Sequence, residues 1–307
     1  MGTPEFAVPA LAALIERCPQ AEVVGVFTQP DRPAGRGREL TAPPVKELAT
    51  HHGIPVFQPT KMRTDETREL LLRLAPELVV VAAYGRILPK QLLEVAPRGC
   101  VNLHASLLPR HRGASPIQHA IWLGDVETGV SLMQMDEGLD TGAVLATKKL
   151  PIAANATSTT LSAELATLAA QLLTEKLDAL LAGELTPRPQ DSALATYARL
   201  LTKDDGRLDF TKPAVELERQ VRALDAWPQA FIERGSDRIQ VSAAHVVAAH
   251  GSPGEVVQAN AQGVVVACGQ GALALDEVKP PGKRMMPAAA WVNGRGIAVG
   301  DRVGRDS

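Results

Sequence analysis

Asn102 and His104 stand two residues apart in the run Cys100-Val101-Asn102-Leu103-His104, whose apolar and β-branched residues read as a strand. Successive side chains on a strand alternate faces, so the carboxamide and the imidazole share one face and Leu103 points into the opposite layer. That pair suits acyl transfer. An amide N–H can stabilise an oxyanion, and an imidazole moves protons near neutral pH. A carboxylate is still needed to hold the ring. The loop Asp136-Glu137-Gly138-Leu139-Asp140-Thr141-Gly142 leaves the next strand and offers Asp140. Plainer readings stand beside this one: a strand-end Asn and His that satisfy buried polar groups, and an Asp-rich loop that is only a turn or a weak cation site.

Other chemistries lack their residues. No G-x-S-x-G or P-loop is present, and no G-x-G-x-x-G follows a strand; the Gly35-Arg36-Gly37 loop holds no such fingerprint. The cysteines, Cys18, Cys100 and Cys268, are odd in number and far apart, so neither a disulfide framework nor a zinc site is expected. No metal is implied, and a reducing cytoplasm is the expected compartment. No apolar run approaches a membrane span, and the first six residues have no basic stretch of a secretion signal. The net charge of -2 excludes a globally basic nucleic-acid binder but leaves room for a local basic patch.

The elements that must position these groups alternate. Residues 23–28, 78–84, 100–104 and 130–135 read as strands, with helical segments near 45–51, 67–74 and 116–123. Ser115 precedes Pro116 as a helix start, and Gly124 follows the end. Such alternation predicts an α/β fold with a doubly wound, mostly parallel sheet, whose ligands bind at the carboxyl ends of the strands. A long helix over 157–182 carries Leu161, Leu165, Leu168 and Leu172 at steps of three and four, with Gly183 as its stop. After about residue 205 one helix (215–224) and short β runs at 239–241, 256–259, 264–267 and 272–275 predict a small all-β barrel. The expected division is 1–183 as catalytic domain, 184–205 as linker and 206–307 as C-terminal domain. In 307 residues two domains are the natural expectation, and a 45% hydrophobic content supplies the cores.

Asn102-Leu103-His104-Ala105-Ser106-Leu107-Leu108-Pro109, followed by Asp136 to Gly142, resembles the signature of folate-dependent formyltransferases. The likeness extends through Gly2-Thr3-Pro4-Glu5-Phe6-Ala7, through residues 27–37 and 55–59, through Ala83-Tyr84-Gly85-Arg86-Ile87-Leu88-Pro89, through residues 109–118 and through Trp227-Pro228. It implies a Rossmann-like domain followed by an oligonucleotide-fold (OB-like) barrel. It implies 10-formyltetrahydrofolate as donor cosubstrate and initiator methionyl-tRNA as acceptor, with Asn102, His104 and Asp140 catalytic. On the same basis Ser106, Leu107, Leu108 and Pro109, with Tyr84, Gly85, Ile87 and Leu88, line the folate pocket. Arg36, flanked by Arg32 and Arg38, contacts the acceptor arm, because Arg binds phosphates bidentately and stacks on bases. Lys283 and Arg284, with Lys203, Lys212 and Lys279, offer a basic face on the barrel. Total charge is silent there, since residues 203–307 hold thirteen Lys/Arg and thirteen Asp/Glu.

Other acceptors remain open: a sugar nucleotide, glycinamide ribonucleotide, or water in a hydrolase, and outside enzymology an RNA-binding module. The Arg-rich loop and the barrel weigh against a small acceptor, and the intact triad weighs against a non-catalytic module. The family also has an apolar strand before Gly2-Thr3-Pro4, where this sequence has only Met1. The chain as given is therefore expected to fold poorly unless an upstream strand is restored, because the neighbours of a lost central strand keep unpaired backbone groups.

Overall fold

The computed structural model describes residues 1–34, 39–294 and 296–304. The chain forms two units. One is Met1–Pro116, Glu127–Pro151 and Ser162–Arg199; the other is Ile117–Val126, Ile152–Leu161 and Leu200–Ser307.

In the first unit Val79–Val81 pairs in parallel with Cys100–His104. That central strand pairs antiparallel with Glu127–Gln134, which pairs antiparallel with Val144–Pro151. Val26–Phe27 and Val56–Phe57 form a second parallel pair. The sequence signals the strand at 130–135 but not its direction. It misses Val144–Pro151 because Thr147, Lys148 and Lys149 break the apolar run. That strand alternates half-buried and exposed positions, as an antiparallel outer strand with one solvated face does. Behind the strands a core of Phe27, Leu71, Val79, Val81, Leu92 and Cys100 is closed to solvent. Burial pushes the Cys100 thiol up to about 11, so it behaves as a small hydrophobe.

Helix punctuation follows the sequence. Thr64 caps Asp65–Leu74 by accepting the Thr67 N–H at 3.3 Å. The long helix runs Ser158–Ala182, buries Leu161, Leu165, Leu168 and Leu172, and stops at Gly183 with φ 75°. The Pro-rich stretch expected as a linker is instead hydrogen-bonded into the first unit. Arg188 and Val144 exchange backbone hydrogen bonds of 2.9 Å in both directions, and Tyr197–Ala198 pairs in parallel with Arg112–Gly113. Extended, proline-bearing chain suits such short edge pairings.

The two parallel pairs meet where Met1 and Gly2 lie between them. Gly2 bridges Ala82 in parallel; its N–H donates to Phe27 O at 3.0 Å, and the Ala82 N–H donates to Met1 O at 2.9 Å. Beyond them a cavity of about 410 Å³ opens, lined by Leu11, Leu14, Val24, Leu74, Val80 and Leu177 among others. Residues 23–25, expected as strand, carry no ladder there. The Met1 ammonium sits inside, donating to Val80 O at 2.6 Å, and burial pushes it down to about 6.

In the second unit Ala230–Arg234, Asp237–Val247, Ala272–Lys279, Gly263–Ala267 and Val256–Asn260 make an antiparallel sheet in that order. The last residues draw its edges together: Glu255 bridges Arg302, and the Gly304 N–H donates to Glu233 O at 2.8 Å. Leu217 and Val221, from helix Ala214–Ala223, join Val256, Val266, Leu273 and Val278 in one core. A short helix at Ala288–Asn293, absent from the sequence reading, also covers this core through Ala288 and Trp291.

Candidate active site

Cys100–His104 ends where the chain turns sharply, and its register sets Asn102 opposite Met133 and His104 opposite Ser131. His104 is 6% exposed. Its Nε2 lies 2.9 Å from the His111 carbonyl, so that nitrogen carries a proton. Its Nδ1 lies 3.6 Å from Asp140 Oδ1, an ion-pair separation just beyond a hydrogen bond. Asn102 Nδ2 reaches the same Oδ1 at 3.5 Å. The other carboxylate oxygen, Oδ2, accepts the Gly113 N–H at 2.8 Å. Carboxamide, imidazole and carboxylate thus converge from two chain segments at the carboxyl end of the central strand. Both ring nitrogens face acceptors, so an imidazolium formed there finds a partner for each N–H.

Three supporting groups have no clear signal in the sequence. His111 adopts φ 58°, a conformation costly for a residue with a Cβ. This turn aims its carbonyl at His104, and its own N–H is held by Thr196 Oγ1 at 2.9 Å. Gly113 has φ 112°, and a Cβ there would overlap the Ala198 backbone, so only glycine brings this N–H to Asp140. The third is Gln190, whose Nε2 donates to the carbonyls of Asp140 and Gly142 at 2.8 and 2.7 Å. Asp136 braces the loop from inside, accepting from the Gly138 N–H at 3.0 Å and Thr141 Oγ1 at 2.7 Å.

The residues expected to bind folate divide. Ser106 is buried, donates to Arg110 O at 2.6 Å, and its carbonyl accepts Ser131 Oγ at 2.7 Å. Ser131 Oγ also accepts the Leu108 N–H at 3.0 Å. This hydroxyl relay shapes the turn that carries Leu107, Leu108 and Pro109, all half-buried. Tyr84 and Leu88 are 2% and 3% exposed, with their side chains in the core, and the Tyr84 hydroxyl donates to Met62 Sδ at 3.2 Å. An aromatic ring packs on the apolar layer beneath the sheet at less cost than it faces water. Ile87 is 75% exposed and Gly85 lies open at φ 72°. The apolar cavity at Met1 is separate: none of Asn102, His104 and Asp140 lines it.

Of the basic residues, Arg36 and Arg38 lie outside the described residues. Arg32 starts the hairpin Arg32–Ala34 with Glu39–Thr41 and donates to Gln29 Oε1. Gln29 Nε2 in turn donates to the Tyr84 and Gly85 carbonyls at 3.0 and 3.3 Å. Lys283 and Arg284 are exposed in the turn between Ala272–Lys279 and Met286–Pro287; Lys203 and Lys279 are exposed too, and Lys212 pairs with Glu216 at 2.5 Å. Among the described residues no group of three His, Cys, Asp or Glu is arranged to hold a metal, and no helix is long and apolar enough to cross a membrane.

A buried imidazole and a carboxamide that approach the same carboxylate oxygen, at the carboxyl end of an open α/β sheet, make an arrangement suited to transferring an acyl group to a nucleophile. The formyl transferase family matches residues 1–177, and its C-terminal domain matches residues 200–296. The chain belongs to that family. It is 55% identical over 302 residues to the methionyl-tRNA formyltransferase of Myxococcus xanthus, covering 98% of this chain and 96% of that one. Among solved structures it resembles HypX from Aquifex aeolicus in complex with tetrahydrofolic acid, with a TM-score of 0.62 at 19% identity. That likeness covers 90% of this chain, which spans 48% of HypX. It also resembles WlaRD, a sugar 3N-formyl transferase solved in the presence of dTDP and 5-N-formyl-THF, with a TM-score of 0.65 at 16% identity over 92% of this chain and 97% of that one.

Proposed function

We propose that this chain transfers the formyl group of 10-formyltetrahydrofolate to the free amino group of methionyl-initiator tRNA, a cytoplasmic step that prepares the tRNA for translation initiation. The observation that carries this reading is the 55% identity to the Myxococcus xanthus enzyme along nearly the full length of both chains. A shared fold alone does not choose the acceptor, as the likeness to a sugar formyltransferase shows.

The site supplies the chemistry. The methionyl amine attacks the formyl carbon, forming the new C–N bond and placing negative charge on the formyl oxygen. Asn102 Nδ2 donates to that oxygen. The amine's proton passes to His104, and His104 returns it to the leaving nitrogen of the donor as the old C–N bond breaks. Asp140 holds the imidazolium in between. The Leu107–Leu108 turn, half-buried and apolar, fits the face of a flat heterocycle, while its backbone groups are free to read the edges.

Formyl transfer from labelled formyl-folate to charged initiator tRNA, charged elongator tRNA, small amines and water tests the proposal. Initiator tRNA is expected to be the preferred acceptor; equal or faster transfer to a small amine or to water overturns it. Asn102→Ala is expected to lower single-turnover rates about 10²–10³-fold, the usual effect of losing one oxyanion donor. Rates within a factor of about three of the parent reject that role. Arg36→Ala is expected to weaken tRNA binding about 10-fold or more, the worth of one charge-assisted contact, and to spare folate affinity. A fall in folate affinity with tRNA binding intact assigns the loop differently.

A further inference from the structure

Asp140 is useful only where it stands; Asp136 braces its loop from inside, and other segments hold that loop to the rest of the unit. It is a non-glycine residue at φ 51°, in a turn that exposes Glu137, Gly138 and Leu139 to solvent. Beside the Gly113 N–H on its carboxylate, the turn is tied to the rest of the unit by the side chain of Gln190, fifty residues further on. Its two Nε2 hydrogens go to Asp140 O at 2.8 Å and Gly142 O at 2.7 Å. Its Oε1 accepts from Arg112 Nε at 3.0 Å. The carboxamide cannot be turned over, because two of its partners only accept and the third only donates. Arg112, 3% exposed, is the neighbour of Gly113, whose N–H holds the Asp140 carboxylate. One half-buried amide therefore spans both segments that place the carboxylate. Gln190 is itself held by the Arg188–Val144 pairing and by Tyr197–Ala198 alongside Arg112–Gly113.

We propose that Gln190 is a positioning residue for the reaction: it locks the Asp140 turn against Arg112–Gly113 and so sets the carboxylate against His104. Its effect on rate rests on the formyl-transfer reading above; its effect on the geometry of His104 does not. Gln190→Glu keeps shape and reach but presents oxygen to two carbonyls, and Gln190→Ala removes the tie.

Both variants are expected to lower kcat about 10–100-fold, the effect of moving a reacting group by about an ångström, with KM for folate and tRNA within about threefold of the parent. In an Asp140→Ala background Gln190→Ala is expected to cost less than about twofold more, because residues acting through one group are not additive. The ring ¹⁵N resonances of His104, read at fixed pH without substrate, are expected to move toward their Asp140→Ala positions. Multiplying losses in the double variant, a rise in KM with kcat kept, or unmoved His104 resonances in both Gln190 variants overturns the proposal. A parent chain that formylates no tRNA, with the His104 resonances still shifting, defeats the functional reading and leaves the positioning role standing.

Discussion

His104→Ala is expected to lower kcat about 10²–10⁴-fold, the range of a lost general acid/base, with little change in folate binding. The ring holds two jobs that no neighbour can take over. It accepts the proton of the attacking amine and returns it to the leaving nitrogen, and as imidazolium it adds a positive charge beside the developing oxyanion. Asn102 and Asp140 survive the substitution, but a carboxamide does not take up a proton at neutral pH, and Asp140 keeps its Oδ2 on the Gly113 N–H. Deletion also removes the buried hydrogen bond between Nε2 and the His111 carbonyl, 2.9 Å in the parent, worth about 1 kcal/mol. Thermal melting therefore belongs beside the kinetics. A single-turnover rate within about threefold of the parent, in protein that melts normally, removes His104 from the mechanism.

Adding about five apolar residues ahead of Met1, the usual length of a strand, is expected to raise the melting temperature by roughly 5–10 °C. Met1 and Gly2 already lie as the end of a strand between Phe27 and Ala82, in parallel register with the latter. Further residues in the same direction enter the 410 Å³ cavity between Val24 and Val80. They satisfy ladder groups on both sides and cover apolar surface worth roughly 1.5–3 kcal/mol per large side chain, against roughly 1–2 kcal/mol of backbone entropy per residue. They also convert a buried amine into an amide. That amine falls from 8.0 to about 6 on folding, so the unfolded chain binds more protons between those values. Without the extension, stability from this group is lost as pH falls from about 8 to about 6, on the order of 2 kcal/mol. The extended chain is expected to lack that slope. Equal melting temperatures with and without the added residues, at both ends of this pH range, defeat the expectation.

The chemical groups of the site were legible because they are side chains on regular periods. Asn102 and His104 follow from the two-residue repeat of a strand, and Asp140 from a loop that leaves the neighbouring strand. The long helix follows from its leucine spacing and the glycine that ends it. Less was legible where a residue's environment decides its part. Tyr84 and Leu88 carry no mark in sequence of the core their side chains enter. Residues 23–25 have strand composition and form no ladder with the described residues. The 184–205 stretch has a linker's prolines, yet its Gln190 hydrogen-bonds to the Asp140 loop.

By itself the sequence determined which reactive groups the protein owns, their order, and the strands and helices able to carry them. Local pattern is enough for that, since side-chain direction repeats with backbone geometry. Tertiary structure alone decided how those groups are held: the carbonyl of His111 on one ring nitrogen, the N–H of Gly113 on the carboxylate, and the amide of Gln190 across both segments. The physical reason is that these ties run largely through backbone polar groups and through residues distant along the chain. Every residue carries such backbone groups, so their identity leaves no mark in the sequence until folding chooses which of them meet.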